Sequence, residues 1–135
     1  MRAQRVVKKG GNVFEVKLDR VLRIITVRLW GWMDAAEAAA CIDAREQAAL
    51  DLGAPKVRHS TICDIREFRL HPQDVFALFG KAVQETNHKA QRIGVVVGEG
   101  TAKMQFRRII DRENPRDNIR MFDDAAAAEA WVKPD

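Results

Sequence analysis

Val57-Arg58-His59-Ser60-Thr61-Ile62-Cys63-Asp64-Ile65-Arg66 is rich in β-branched residues, with Gly53-Ala54-Pro55 shortly before it and His71-Pro72 shortly after. Helical patterns flank it on both sides. A stretch set between two helical patterns fits a strand of an alternating α/β sheet. The stretch therefore reads as an interior strand running into a switch-point loop, where ligands settle on such sheets.

Upstream, Asp34-Ala-Ala-Glu37 has the form of a capping box, in which each residue's carboxylate would accept from the other's backbone N–H. The apolar face of the helix that follows runs through Ala38, Cys41, Ile42, Ala48, Ala49 and Leu52, and Gly53 and Pro55 stop it. Its small residues predict close packing on a sheet. Further back, Val13 to Leu18 alternates, and Val21 to Trp30 forms a longer apolar strand. The short Asp19-Arg20 connection makes the two an antiparallel hairpin. Residues 1–11 carry Arg2, Arg5, Lys8 and Lys9 and end in Gly10-Gly11, which reads as a flexible basic arm.

Downstream, Pro72 opens a second helix, with His71 as its cap and a core stripe through Val75, Leu78, Phe79, Ala82, Val83, Thr86 and Ala90. Arg92 to Gly98 holds a continuous apolar run suited to a parallel strand covered on both faces. A third helix spans Thr101 to about Glu113 with Ala102, Phe106, Ile109 and Ile110 inward. Ile119 to Phe122 is a last strand, and an Ala-rich helix ends at Trp131-Val132. These elements predict a single α/β domain over residues 12–133. Its sheet is mixed and mainly parallel, with about five strands, an N-terminal antiparallel hairpin and about four helices.

The 135 residues suit one domain; 47% are hydrophobic and 31% charged, as in ordinary globular proteins. A net charge of +4 spread along the chain does not argue for nucleic acid. No apolar run approaches the ~20 residues of a membrane span, and the basic N-terminal residues do not fit a signal peptide. Cys41 and Cys63 give neither a disulfide framework nor a metal spacing, and they read as buried free thiols. A cytoplasmic protein is expected.

The order of elements resembles the STAS domain, and within it the SpoIIAA-like branch of anti-sigma-factor antagonists. Three pieces carry the resemblance: Trp30-Gly-Trp-Met-Asp34, the strand ending Cys63-Asp64-Ile-Arg66, and Met121-Phe-Asp-Asp with Ala-Trp131-Val132. It runs from Val13 to Val132. The resemblance implies an aspartate ending the central strand, matched by Asp64, followed by a phosphorylatable serine. Ile65, Arg66 and Glu67 stand there instead, so the serine is absent. Neighbours of this branch resemble lipid-carrier folds, which implies an apolar ligand as the alternative.

Asp64 and Arg66 lie at a strand end and, two apart, point to one polar patch. A plain surface ion pair is the weightier reading of them. Gly98-Glu99-Gly100-Thr101 joins a strand to a helix N-terminus and is a candidate anion-binding turn, against the plainer reading of Thr101 as N-cap. Lys103, Arg107, Arg108 and Arg112 form a basic helix face, either solvated or docking an acidic partner. Trp30 reads as core. Trp32, where exposed at the strand end, offers contact area to a ligand or partner, although packing as core or lid is preferred. His59, His71 and His88 suggest neither a triad nor a metal site. The resulting expectation is a non-catalytic regulatory or protein-interaction module, with no cofactor, no metal and no nucleic acid. Its partner is a protein or a small apolar ligand, and a homodimer remains open.

Overall fold

In the computed structural model, residues 4–10, 13–69, 72–99, 101–112 and 114–134 are described, and the side chains of residues 4–10, 87, 88 and 101 lie outside that description. In chain order the elements are β1 (Gln4–Gly10), β2 (Phe14–Asp19), β3 (Ile24–Gly31), α1 (Ala35–Leu52), β4 (Ser60–Phe68), α2 (Gln73–Lys89), β5 (Ile93–Val96), α3 (Thr101–Arg112), β6 (Ile119–Phe122) and α4 (Ala125–Val132). One sheet contains all six strands in the order β1-β2-β3-β4-β5-β6, antiparallel from β1 to β3 and parallel from β3 to β6.

The alternation along β2 and β3 decides which side is covered. Phe14, Val16 and Leu18, with Ile25, Val27 and Leu29, form one core with the buried stripe of α1, with Val75, Phe76 and Phe79 of α2 and with Phe106, Ile109 and Ile110 of α3. Ile24, Ile62 and Val96 point the other way and pack on Ala128 and Val132 of α4. All three crossover helices therefore share one face, and α4 alone covers the other, over β4 to β6. The switch point expected after β4 does not exist. A switch point needs consecutive crossovers on opposite faces and a reversal of strand order, whereas here the strands succeed one another without reversal.

Residues 4–10 are also corrected. Expected within a flexible basic arm, Gln4–Gly10 instead pairs antiparallel with β2, with a register shift between Val6 and Lys8. Charged residues are common on edge strands, where they discourage further pairing, so an edge strand and a solvated arm look alike in sequence. The hairpin turn is longer than expected. Asp19 Oδ1 accepts from the N–H groups of Val21 and Leu22 at 3.0 and 2.9 Å, and Arg23 takes a positive φ of 57°, so Val21 sits exposed in the turn.

The helix ends follow the sequence closely. Glu37 N donates to Asp34 Oδ1 at 2.8 Å and Asp34 N to Glu37 Oε1 at 3.0 Å, while Gly53 closes α1 with a left-handed φ of 108°. Pro72 occupies the N-cap of α2 rather than its first turn, and His71 lies outside the described residues. Phe68, Phe76, Phe79 and Phe106 meet in tilted and edge-to-face contacts, with Phe76 and Phe106 centroids 5.4 Å apart at 79°. That cluster ties α2 and α3 to the end of β4. All four residues of β5 are buried, as its continuous apolar run predicts. Among the described residues no helix is long and apolar enough to cross a membrane.

Candidate functional site

The polar site is built at the carboxyl end of β3 and β4. Register there is interrupted: Arg28 pairs with Asp64, but Trp30 pairs with Glu67, so β4 carries an extra residue between them. This bulge lets Ile65 and Phe68 both reach the core while Asp64, Arg66 and Glu67 stay towards solvent. Arg66 Nε and Nη2 donate to Asp64 Oδ1 and Oδ2 at 3.0 and 2.7 Å, and Arg66 N donates to Oδ1 at 3.2 Å. Burial alone would raise the Asp64 carboxyl, but the hydrogen bonds and charge of Arg66, helped by Arg28, outweigh it and hold the group below its usual range. Beside this fork Arg28 pairs with Glu67 at 3.4 Å and lies 5.0 Å over the Trp30 ring. Trp30 is thus half-buried beneath a cation rather than in the core, because α4 covers its face of the sheet only over β4 to β6.

Gly31 O accepts from Arg69 N at 3.0 Å, so the chain after β3 leaves the sheet alongside the end of β4. Trp32 follows and is 54% exposed, not packed as core or lid, whereas Met33 next to it is fully buried. The β5 end adjoins the same place. A Cβ on Gly98 would lie 2.9 Å from the Arg66 carbonyl oxygen, so only glycine allows this approach. Gly100 and the Thr101 side chain lie outside the described residues, which leaves the anion-binding turn without a described cap or cradle.

The basic residues divide. Arg108 and Arg112 line a groove of about 510 Å³ between α2 and α3, facing Lys81 over a floor that includes Phe76, Ala77, Gly80 and Ile109. Lys103 and Arg107 do not line it.

A second constellation went unread in the sequence. Arg45, in the middle of the buried stripe of α1, is only 8% exposed and its Nη2 donates to Glu46. Its Nη1, like Thr61 Oγ1 on β4, has no hydrogen-bond partner among the described residues. Both residues line a cavity of about 70 Å³ between α1, α2 and the sheet, with Val27, Leu29, Phe79 and Val83 among its walls. Cys41 and Cys63 also line it. Burial pushes the Cys41 thiol above its ordinary range and the Cys63 thiol up to about 12, so both are neutral. His59, buried just before β4, has its pKa lowered by burial and then by the charge of Arg45. The signal in the sequence was a charged residue seated at the core spacing of Cys41, Ala48 and Leu52. Among the described residues no group of three or more His, Cys, Asp or Glu side chains is placed to hold a metal ion.

No protein-family model matches the sequence, and no curated protein matches it. Among solved structures, a crystal structure of an uncharacterised protein of the DUF3478 family from Shewanella loihica PV-4, described as having a SpoIIAA-like fold, superposes with a TM-score of 0.62. The match covers 98% of this chain and 95% of that one, at 13% identity. The fold is SpoIIAA-like. At that identity the SpoIIAA-like likeness concerns the backbone alone, and the roles of Asp64, Arg66 and Arg45 rest on their own geometry.

Proposed function

We propose that this chain is a non-catalytic regulatory module that acts by binding a protein partner, with Asp64, Arg66 and Trp32 at the contact centre. One observation carries the reading: Trp32 is 54% exposed directly after Gly31, which pairs with Phe68 just past the Asp64–Arg66 fork on β4. A large aromatic on a rigid strand end supplies contact area at little entropic cost. The non-catalytic part is supported by the state of the reactive groups. Asp64 is held ionised by Arg66 and is a weak base, and Cys63, raised to about 12, is a weak nucleophile. Buried Ile65 and ion-paired Arg66 occupy the stretch where the SpoIIAA-like resemblance would require a phosphoacceptor serine, so no phosphorylation switch is proposed at this loop. A cytoplasmic setting belongs to the same reading and accords with two free cysteines.

A photo-crosslinking amino acid at position 32, introduced in the native cell, tests it. The expected outcome is one dominant protein adduct that disappears when Asp64 and Arg66 are both changed to Ala, with the melting point little altered. The reading is wrong if position 32 yields no adduct while the same probe at exposed Met104, on the basic helix, does. A second reading, as a carrier or sensor of a small apolar ligand, is favoured by the cavity beside Arg45.

A further inference from the structure

We infer that the groove between α2 and α3 docks a short acidic segment of a protein partner, with carboxylates on Lys81, Arg108 and Arg112 and an apolar side chain on the floor at Phe76 and Ile109. This surface shares no residue with the contact centre at Asp64, Arg66 and Trp32, and it does not rest on that reading. Charge complementarity names the occupant. The three cations line the groove and are exposed, and none of them forms an ion pair among the described residues. No acidic side chain lines it. Arg108 and Arg112 stand four residues apart on α3, ~6 Å along the helix axis, and Lys81 faces them from α2. Charges spaced in this way suit a row of separate carboxylates rather than one dianion, and each guanidinium fork can hold a carboxylate by both oxygens.

The floor supplies the apolar part of the contact. Phe76 and Ile109 are buried yet line the groove from below. Gly80, beside them, lies inside α2, where a glycine weakens the helix. No close approach requires it, since a Cβ there would lie 4.0 Å from Ile109 Cγ1, an ordinary contact. With Ala77, it keeps about 510 Å³ open between the helices. That volume falls in the range of ligand clefts, about 300–1,000 Å³. The apolar floor lies beneath charged rims, so a single peptide side chain can reach it and the broad interior of a bilayer cannot.

The test offers the full chain an array of short peptides that combine Asp, Glu, Leu, Phe, Lys and Ser, and measures the best binder, labelled with fluorescein, by anisotropy. Binders are expected to carry Asp or Glu on both sides of a Leu or Phe, with affinity falling as salt rises. Arg108→Glu with Arg112→Glu should weaken that peptide at least about tenfold. Lys103→Glu with Arg107→Glu, an equal change of charge outside the groove, should weaken it no more than about twofold. Ala77→Phe, at an exposed position, fills the groove and leaves the charges in place. It should also weaken binding about tenfold, and it is the independent variant if the double reversal does not fold. Asp64→Ala with Arg66→Ala should leave the peptide bound, so this assignment and the proposed contact centre fail separately. Binders without acidic residues, or equal losses in the two charge reversals, overturn the assignment. So does the absence of any peptide binder, including the case in which Arg108 and Arg112 instead hold phosphatidylglycerol vesicles, oligothymidylate or a second copy of the chain.

Discussion

At the scale of single residues, the Asp64–Arg66 fork is a pair whose strength depends on pH. Its effect lowers the folded carboxyl below the ordinary value of 3.8. A depressed carboxyl contributes stability that is fully present above the unfolded value and is lost as pH falls through the folded one. Asp64→Asn should therefore lower the melting point at neutral pH, and the gap to the wild type should close on acidification below about pH 4. Because the Arg66 side chain is 48% exposed, the loss at neutral pH is expected to stay within about 1 kcal/mol. Gly98 predicts a larger change. An added methyl would meet backbone, not a movable side chain, at 2.9 Å, so Gly98→Ala should destabilise by about 1–3 kcal/mol in a urea titration. A wild-type midpoint in that variant would mean that β4 and β5 do not meet as described. The Asp64–Arg66 pair was legible in the sequence, because both residues are polar and close together. Its bidentate closure was not, because that depends on a bulge set by the register with β3.

At the scale of elements, β5 and α4 explain each other. Val96 is fully buried beneath Ala128 and Val132, and Gly94 lets α4 come close, since a Cβ there would lie 3.3 Å from Val132 Cγ1. Val96→Asp places an unpaired charge in this contact at a cost of several kcal/mol, against a total stability of about 5–15 kcal/mol. Circular dichroism should show an unfolded chain at 25 °C, and a native melting curve would sink the description of β5 as an interior strand. The continuous apolar run from Ile93 to Val97 announced this strand unaided, since every position in it is buried. The capping box of α1 was equally visible, because Asp34 and Glu37 need only each other's backbone. β1 was not visible. Its sequence becomes a strand only because β2 offers an open edge.

At the scale of the whole molecule, that edge carries a prediction of its own. Removing residues 1–10 would leave β2, whose Phe14, Val16 and Leu18 belong to the core, as an unprotected edge. The truncated chain should melt several degrees lower and self-associate in sedimentation velocity, whereas loss of a loose arm would change neither. What the sequence determined alone lies within a few residues of chain: strand and helix periods, the Asp34–Glu37 cap, the Gly53 stop and the order of elements. Each depends on neighbours joined by the chain itself. Tertiary structure decided the rest. It laid three crossover helices on one face, which removed the expected switch point and left Trp30 and Arg28 on the other face, which α4 covers only over β4 to β6. It also brought Arg45 from a helix and Thr61 from a strand to the wall of one cavity. Neither residue's pattern shows that meeting, because it is set by how α1 packs across the sheet, and packing between elements is fixed by the whole core rather than by any local run.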